Sequence, residues 1–376
     1  VLTLSRLVLT DFRNYASLTW RPGARIGVLT GPNGSGKTNL LEAISLLGPG
    51  RGLGRGRMAE LARRGGAGQW SVAARLTQDG VATDIGTGTL EGTADRRVFR
   101  LDGAEPRSQA EVAAKISAVW LTPQMDTLFQ ESASGRRRFL DRLVWALEPG
   151  HARAASAHDA AMAERRRVLA RAAERKTRPD PAWLAGLEEA IAQQAVCLAA
   201  ARRIFAARLN AAPRDGAAFP PARLLLIDPV ADRLAAEPAL AVETWLRDEL
   251  AGRRAADAAA GTSTLGAHRA DMRLMDAATG LEAAQASTGQ QKAMLLGVIL
   301  AHAQLIAEAR GHAPLLLLDE PAVHLDEGRR IALWAELVRL PAHIVLTGTD
   351  PDVFAPLQGT AEFLRTGEGR LSPGLG

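Results

Sequence analysis

An apolar strand running straight into Gly31-Pro32-Asn33-Gly34-Ser35-Gly36-Lys37-Thr38 constrains this chain more than any other stretch. Arg25 to Thr30 reads as the strand, and Leu40, Leu41, Ile44 and Leu47 recur at helical spacing after it. Strand, glycine-rich turn and helix together are the context that gives the pattern G-x4-G-K-[ST] its meaning. Glycines let backbone N–H groups crowd toward phosphate oxygens, and the helix N-terminus adds partial positive charge at the same point. The pattern therefore calls for an α/β fold that holds a nucleoside triphosphate at the end of a strand. Gly31, Asn33, Gly34, Ser35, Gly36, Lys37, Thr38 and Asn39 are the candidate nucleotide-binding residues. Lys37 would reach the β and γ phosphates of ATP, and the Thr38 hydroxyl would ligate Mg²⁺.

The second half of such a site lies far along the chain. Leu315 to Leu318 are four consecutive leucines, which suits a parallel strand buried on both faces. That strand would deliver Asp319 to the metal and Glu320 to a water in line with the γ phosphate. Glu320 and Lys37 are thus the candidate catalytic residues. Thr38, Asp319 and Gln124, which follows Trp120-Leu121-Thr122-Pro123, are the candidate metal set.

Ser287-Thr288-Gly289-Gln290-Gln291-Lys292 stands just before a helix and ahead of the leucine strand, and it resembles the signature motif of ABC-type ATPases. A serine, a glycine and a helix N-terminus make a second anion site. The resemblance implies that Ser287, Gly289 and Gln290 cap the γ phosphate held by a partner subunit, giving an ATP-dependent homodimer. It also places Asp326, in Val323-His324-Leu325-Asp326, at the dimer seam. Where transporter ATPases commonly carry a histidine after the last strand, this chain has Thr347-Gly348-Thr349-Asp350; Thr349 or Asp350 occupies the region, and the sequence does not identify the γ-phosphate sensor.

Between the two halves the texture changes. From Arg136 to about Ala207 the chain is rich in Ala, Arg, Glu and Leu, with one strong break at Arg178-Pro179-Asp180-Pro181. Long helices follow from this, one of them roughly 40 Å at the usual rise. Heptads are not sustained, so a long coiled coil is not expected. The organisation read from sequence is an ABC-type P-loop ATPase head, a mixed sheet with flanking helices, formed by 1–125 and 262–376. A helical arm over 126–261 is inserted as a second lobe.

Composition matters at three points. A single cysteine, Cys197, excludes an internal disulfide and a cysteine-rich metal site, which fits a reducing cytoplasm. Ala293 to Ala309, the most apolar run, is interrupted by His302 and Gln304, so no membrane span is expected. Of 46 basic residues only Lys37, Lys115, Lys176 and Lys292 are lysine, and two of these four fall inside the motifs above. Net charge is +5, which permits a nucleic-acid partner without establishing one.

Phe12-Arg13-Asn14-Tyr15, Gly31 to Asn39, Arg136-Arg137-Arg138-Phe139-Leu140-Asp141, Gly266-Ala267-His268-Arg269-Ala270-Asp271 and Ala286 to Lys292 occur in one order over nearly the whole chain. In this combination the sequence resembles the RecF family of bacterial recombination mediators, relatives of the heads of SMC proteins. The resemblance implies a weak, DNA-stimulated ATPase that dimerises with ATP and recognises gapped or junction DNA. It also implies work with RecR and RecO to load a recombinase. The chain departs from the family's usual Pro-Glu-Asp triplet, having Pro123-Gln124-Met125-Asp126.

Arg51, Arg55, Arg57, Arg63 and Arg64 form the densest basic run near the phosphate loop and are the candidate DNA contacts. Phosphate contact of this kind gives affinity without reading sequence, and the scarcity of aromatics argues against base stacking. In an arginine-biased chain the same run also reads as an ordinary solvated surface. Arg136 to Arg138 and Arg165 to Arg167 are weaker candidates. Two other functions fit parts of the pattern: a nucleotide-dependent scaffold with negligible turnover, and the ATPase subunit of an ABC transporter.

Overall fold

Strands buried on both faces set the architecture of the N- and C-terminal parts of the chain. The computed structural model describes residues 1–54, 56–212 and 219–374. The chain falls into two units: Val1–Asp126, Asp215–Pro220 and Ser287–Gly376 form one, Thr127–Arg214 and Pro221–Ala286 the other.

The first unit opens with β1 (Leu2–Phe12), β2 (Tyr15–Trp20), β3 (Ile26–Thr30), α1 (Lys37–Ser45), β4 (Ser71–Gln78), β5 (Val81–Leu90), β6 (Thr93–Leu101), α2 (Gln109–Lys115) and β7 (Ala118–Leu121). The second unit contributes α3 (Ala133–Leu147), α4 (Gly150–Arg175), α5 (Pro181–Ala211), β8 (Ala222–Ile227), α6 (Pro229–Leu234), α7 (Ala239–Gly252), α8 (Arg254–Ala260) and β9 (Asp271–Asp276). The chain then returns to the first unit through α9 (Thr288–Arg310), β10 (Leu315–Leu318), α10 (Glu327–Arg339), β11 (Ile344–Gly348), β12 (Ala361–Gly367) and β13 (Arg370–Pro373).

Two sheets build the first unit, and their sequences differ as their burial does. In the order β13-β12-β3-β11-β10-β7, every neighbour is parallel except β13. All residues of β3, β10 and β11 are buried, which is why these strands read as unbroken apolar runs. The other sheet, β2-β1-β4-β5-β6, is antiparallel and alternates buried with exposed positions along β4. A core joins the two, with Leu7, Leu9, Leu40, Ile44, Val72, Leu317 and Val345 among its members. The helix α9 is long and apolar enough to cross a membrane by composition, but 72% of its apolar window is buried inside the fold.

In the second unit α4 and α5 form an antiparallel pair. Lys176 turns left-handed to end α4, and Asp180 caps α5 by accepting from the Ala182 N–H at 2.9 Å, with Pro181 at the first helical position. The break read at 178–181 is this turn. Arginines in the unit are largely tied to acids. Arg165, 2% exposed, donates to Glu188 at 3.0 Å and to Asp257 at 2.6 Å. Arg136 grips Asp271 with two bonds of 2.8 and 2.6 Å, and Arg137 donates to the His268 carbonyl. These residues serve the lobe's interior, and Arg136, Arg137 and Arg165 are not free for DNA.

The lobe extends beyond the 126–261 expected from composition. Its C-terminal limit is Ala286, because β9 pairs antiparallel with β8 in the register Leu224↔Leu274 and so draws 271–276 into the same unit. A short strand whose partner lies some fifty residues away leaves little compositional trace.

Candidate functional site

The parallel strands of the first unit end at a common level. Leu318 of β10 lies opposite Leu121 of β7 and Leu346 of β11, and Gly348 lies opposite Thr30 of β3. Open α/β sheets bind ligands outside the carboxyl ends of their strands. Here those ends lead into Gly31 to Gly36 after β3, Asp319 and Glu320 after β10, Gln124 after β7 and Thr347-Gly348 at the close of β11.

Several side chains hold the phosphate loop from below. Asn14 Nδ2 donates to the Ser35 carbonyl at 3.2 Å, and the Tyr15 hydroxyl donates to the Gly36 carbonyl at 3.0 Å. Burial raises the Tyr15 pKa, so this donor stays protonated. Ser35 Oγ and Thr366 Oγ1 are 2.6 Å apart, and Asn39 Nδ2 donates to Asn14 Oδ1 at 2.8 Å. Gly36 has φ +107°, and a Cβ there would stand 2.4 Å from Asn14 Nδ2. Only glycine fits the position.

Within the loop, Lys37 is 5% exposed and its ammonium donates to the Gly31 carbonyl at 2.6 Å and the Pro32 carbonyl at 3.1 Å. Glu320 Oε1 is 3.7 Å from it. Thr38 Oγ1 donates to Asp319 Oδ2 at 2.8 Å, and Thr347 Oγ1 donates to Asp319 Oδ1 at 2.6 Å. Thr347 Oγ1 in turn accepts from the Glu320 N–H at 2.9 Å. A charged amine, a hydroxyl and two acids therefore converge at the carboxyl ends of the strands, an arrangement suited to triphosphate chemistry.

Sequence reasoning missed Thr347. Thr349 and Asp350, the two residues weighed there, lie farther out. Both are exposed, and Asp350 is occupied in capping the turn Pro351–Leu357 through the Asp352 N–H at 3.0 Å. Gln124 is exposed in the turn Pro123–Gln130 that follows β7. Asp126 of that turn, not singled out from sequence, forms an ion pair with Lys292 at 2.9 Å.

The signature segment begins α9. Ser287 Oγ accepts from the Gln290 N–H at 3.3 Å, and Gln290 Oε1 accepts from the Ser287 N–H at 3.0 Å. This reciprocal cap spends two otherwise unpaired donors of the helix end and leaves the Ser287 hydroxyl proton unused by the cap. Gly289 abuts the loop after β10, where a Cβ would be 2.7 Å from the His324 carbonyl. Asp326 caps α10 by accepting from the Arg329 N–H at 2.8 Å.

The profile of the RecF/RecN/SMC N terminal domain family matches residues 3–343. The chain is 46% identical over 377 residues to the DNA replication and repair protein RecF of Allorhizobium ampelinum, covering 98% of each chain. It is 44% identical to the protein of that name from Mesorhizobium japonicum, covering 98% of this chain and 97% of that one. The chain belongs to the RecF family. Solved structures of the recombination mediator protein RecF with ATPrS and with ATP share its fold, with TM-scores of 0.85 and 0.82 at 19% identity. The match covers 99% of this chain in both cases and 98% and 99% of those chains. An Smc head domain from Pyrococcus furiosus is more distant, with a TM-score of 0.52 at 14% identity, covering 99% of this chain and 96% of that one.

The arginine run near the phosphate loop of this RecF-family chain divides into exposed and engaged members. Arg51, Arg57 and Arg64 are exposed, while Arg55 lies outside the described residues. Arg63 is bound to Asp11 at 2.7 Å, and that bond lowers the Asp11 pKa. Arg13 grips Glu42 with bonds of 2.7 and 2.8 Å, which raises the guanidinium pKa. Between them opens a cleft of about 790 Å³ bounded by Arg13, Asn14, Asn39, Glu60, Arg63 and Arg64. At the start of the run, Arg97 of β6 donates to the carbonyls of Leu46, Gly48 and Gly50 and so pins the chain as it leaves α1.

Proposed function

We propose that this RecF-family chain is an ATP-dependent DNA-binding protein of recombinational gap repair in the bacterial cytoplasm. ATP closes two copies on gapped or junction DNA, slow DNA-stimulated hydrolysis releases them, and RecR and RecO cooperate in loading the recombinase. The observation that carries this reading is the meeting of Lys37, Thr38, Asp319 and Glu320 at one strand edge in a chain of this family.

Lys37 and the N–H groups of Gly34, Ser35 and Gly36 would hold the phosphates, with Asn33 and Asn39 beside them. Thr38 Oγ1 and Asp319 Oδ2 are 2.8 Å apart, close to the roughly 3 Å between neighbouring oxygens around Mg²⁺, so these two residues fit as its ligands. Gln124 is the third candidate of the set. Bound Mg²⁺ would neutralise phosphate charge. Glu320 is the candidate to take a proton from the attacking water, and Thr347 keeps its backbone and Asp319 in register. Ser287, Gly289 and Gln290 would cap the γ phosphate of the partner copy. Arg51, Arg57 and Arg64 are the exposed arginines available for DNA phosphates.

Anisotropy of a labelled gapped duplex, titrated with and without ATP and Mg²⁺, tests the reading, with Glu320→Gln run beside the parent. Tight binding only with ATP, prolonged in Glu320→Gln because release fails, is expected. Binding indifferent to ATP would leave a general polyanion surface and overturn the clamp.

A further inference from the structure

Among the described residues Lys292 is the most deeply buried cation of the nucleotide-site half, with its side chain 0% exposed, and it lies about one turn into α9. Its ammonium donates to Asp126 at 2.9 Å and to the backbone carbonyl of Glu320 at 3.3 Å. That second bond reaches the residue proposed to act on water.

Glu320 has φ +49°, a left-handed backbone that a residue with a Cβ adopts at a cost. Such a conformation persists only where its surroundings enforce it. Side chains from distant segments reach both backbone polar groups of Glu320: Thr347 accepts from the N–H at 2.9 Å, and Lys292 donates to the carbonyl at 3.3 Å beside the Val323 N–H of the same turn at 3.4 Å. One turn earlier on α9, Gly289 lies so close to the His324 carbonyl that a Cβ would stand 2.7 Å away. The start of α9 and the 320–324 loop therefore touch at two points, one a hydrogen bond and one a close packing contact.

We propose that Lys292 is a positioning residue for hydrolysis, locking the backbone of Glu320 to the helix whose first residues meet the partner's nucleotide. The inference rests on the proposed roles of Glu320 and Ser287. Capture of a phosphate at Ser287 moves or steadies the start of α9, and Lys292 passes that to the Glu320 of the same chain. The two nucleotides of a dimer are thereby coupled through each protomer's own α9. A buried ion pair kept for stability alone requires Asp126 and no bond to Glu320.

That difference defines the experiment. Lys292→Met and the double variant Lys292→Met with Asp126→Leu are compared with the full-length parent for thermal unfolding, ATP affinity, ATP-dependent dimerisation and hydrolysis at saturating ATP. The single variant strands a partly buried carboxylate and is expected to lose stability, whereas the double variant removes both charges and regains it. Both are expected to bind ATP within about 2-fold of the parent while kcat falls on the order of 10- to 100-fold, the scale of misplacing a reacting group by about 1 Å. Cooperativity in ATP concentration, where the parent shows it, disappears with the bond. A stable double variant with the parent's kcat would overturn the proposal, since stability would then be all that Lys292 provides. A parent whose hydrolysis ignores Glu320→Gln would overturn the reading beneath it as well.

Discussion

Thr38 and Asp319 are 281 residues apart in sequence, yet the Thr38 hydroxyl donates to the Asp319 carboxylate at 2.8 Å. The parallel register makes this possible, because β3 and β10 flank β11 and end at the same level. A hydroxyl that starts a helix and an acid that ends a strand become one oxygen pair.

Lys37→Ala removes the one buried ammonium that lies within the phosphate loop. A charge-assisted contact is worth roughly 1.5–3 kcal/mol, so ATP affinity is expected to fall about 10- to 100-fold. Titration with a fluorescent ATP analogue checks this, and unchanged affinity would remove Lys37 from the site.

Thr347→Val keeps shape but deletes the hydroxyl shared by Asp319 and Glu320. Leaving a buried carboxylate oxygen and a partly buried N–H without that partner costs about 1–3 kcal/mol. Urea unfolding should register the loss, and hydrolysis should fall further than ATP binding. Equal stability in parent and variant would mean that Thr347 bridges nothing of consequence.

Ser287→Arg is expected to bind ATP as the parent does and to stay monomeric in sedimentation velocity with ATP. The bulky cation occupies the place where the partner's phosphate is to be capped. Part of any stability change, about 1 kcal/mol, belongs to the lost helix cap. A dimer formed by this variant would end the trans-capping reading.

Exposed Arg57 and Arg64 should act differently from Arg63, which Asp11 already holds. Changing both Arg57 and Arg64 to Ala is expected to lessen the slope of log affinity against log salt by about 1.8 on duplex DNA. Arg63→Ala should alter that slope little. Identical slopes for the double variant and the parent would exclude the run from DNA contact.

His343 supplies a pH dependence. Both ring nitrogens are buried without a hydrogen-bond partner among the described residues, and burial, assisted by the charge of Arg25, lowers the pKa to about 4. An unfolded histidine titrates near 6.5. Above that value both states are neutral and the group is without effect. As pH falls from 6.5 toward 4 the unfolded chain takes the proton first, so stability is lost in that window, by roughly 3 kcal/mol at its foot. His343→Leu should flatten the curve in urea unfolding between pH 4.5 and 7.5. Parallel curves would show that His343 does not titrate there.

Local features were legible from the residues. The apolar strand before Gly31, the leucine run at 315–318 and the proline break at 178–181 all declare themselves within a few residues, since periodicity and turn chemistry act at that range. Less legible were β7, β8 and β9, which are short and complete only when paired across the chain. The signature segment was visible as a capped helix start, but its contact with the 320–324 loop was not. Among the arginines, sequence offered one dense run and could not separate Arg63, bound to Asp11, from Arg57 and Arg64, because the deciding carboxylate lies on β1.

Legible without any long-range contact are the class of fold, the glycine-rich loop at Gly31 to Thr38 and the acidic strand end at Asp319 and Glu320. These rest on spacing along the chain, which a strand or helix converts directly into geometry. It takes the folded chain to show that Thr347 bridges the Asp319 carboxylate and the Glu320 N–H, that Asp126 pairs with Lys292, and that Lys292 reaches the carbonyl of Glu320. Each joins side chains on different strands and helices, and the direction of a hydrogen bond across such a junction is fixed by packing that no local pattern encodes.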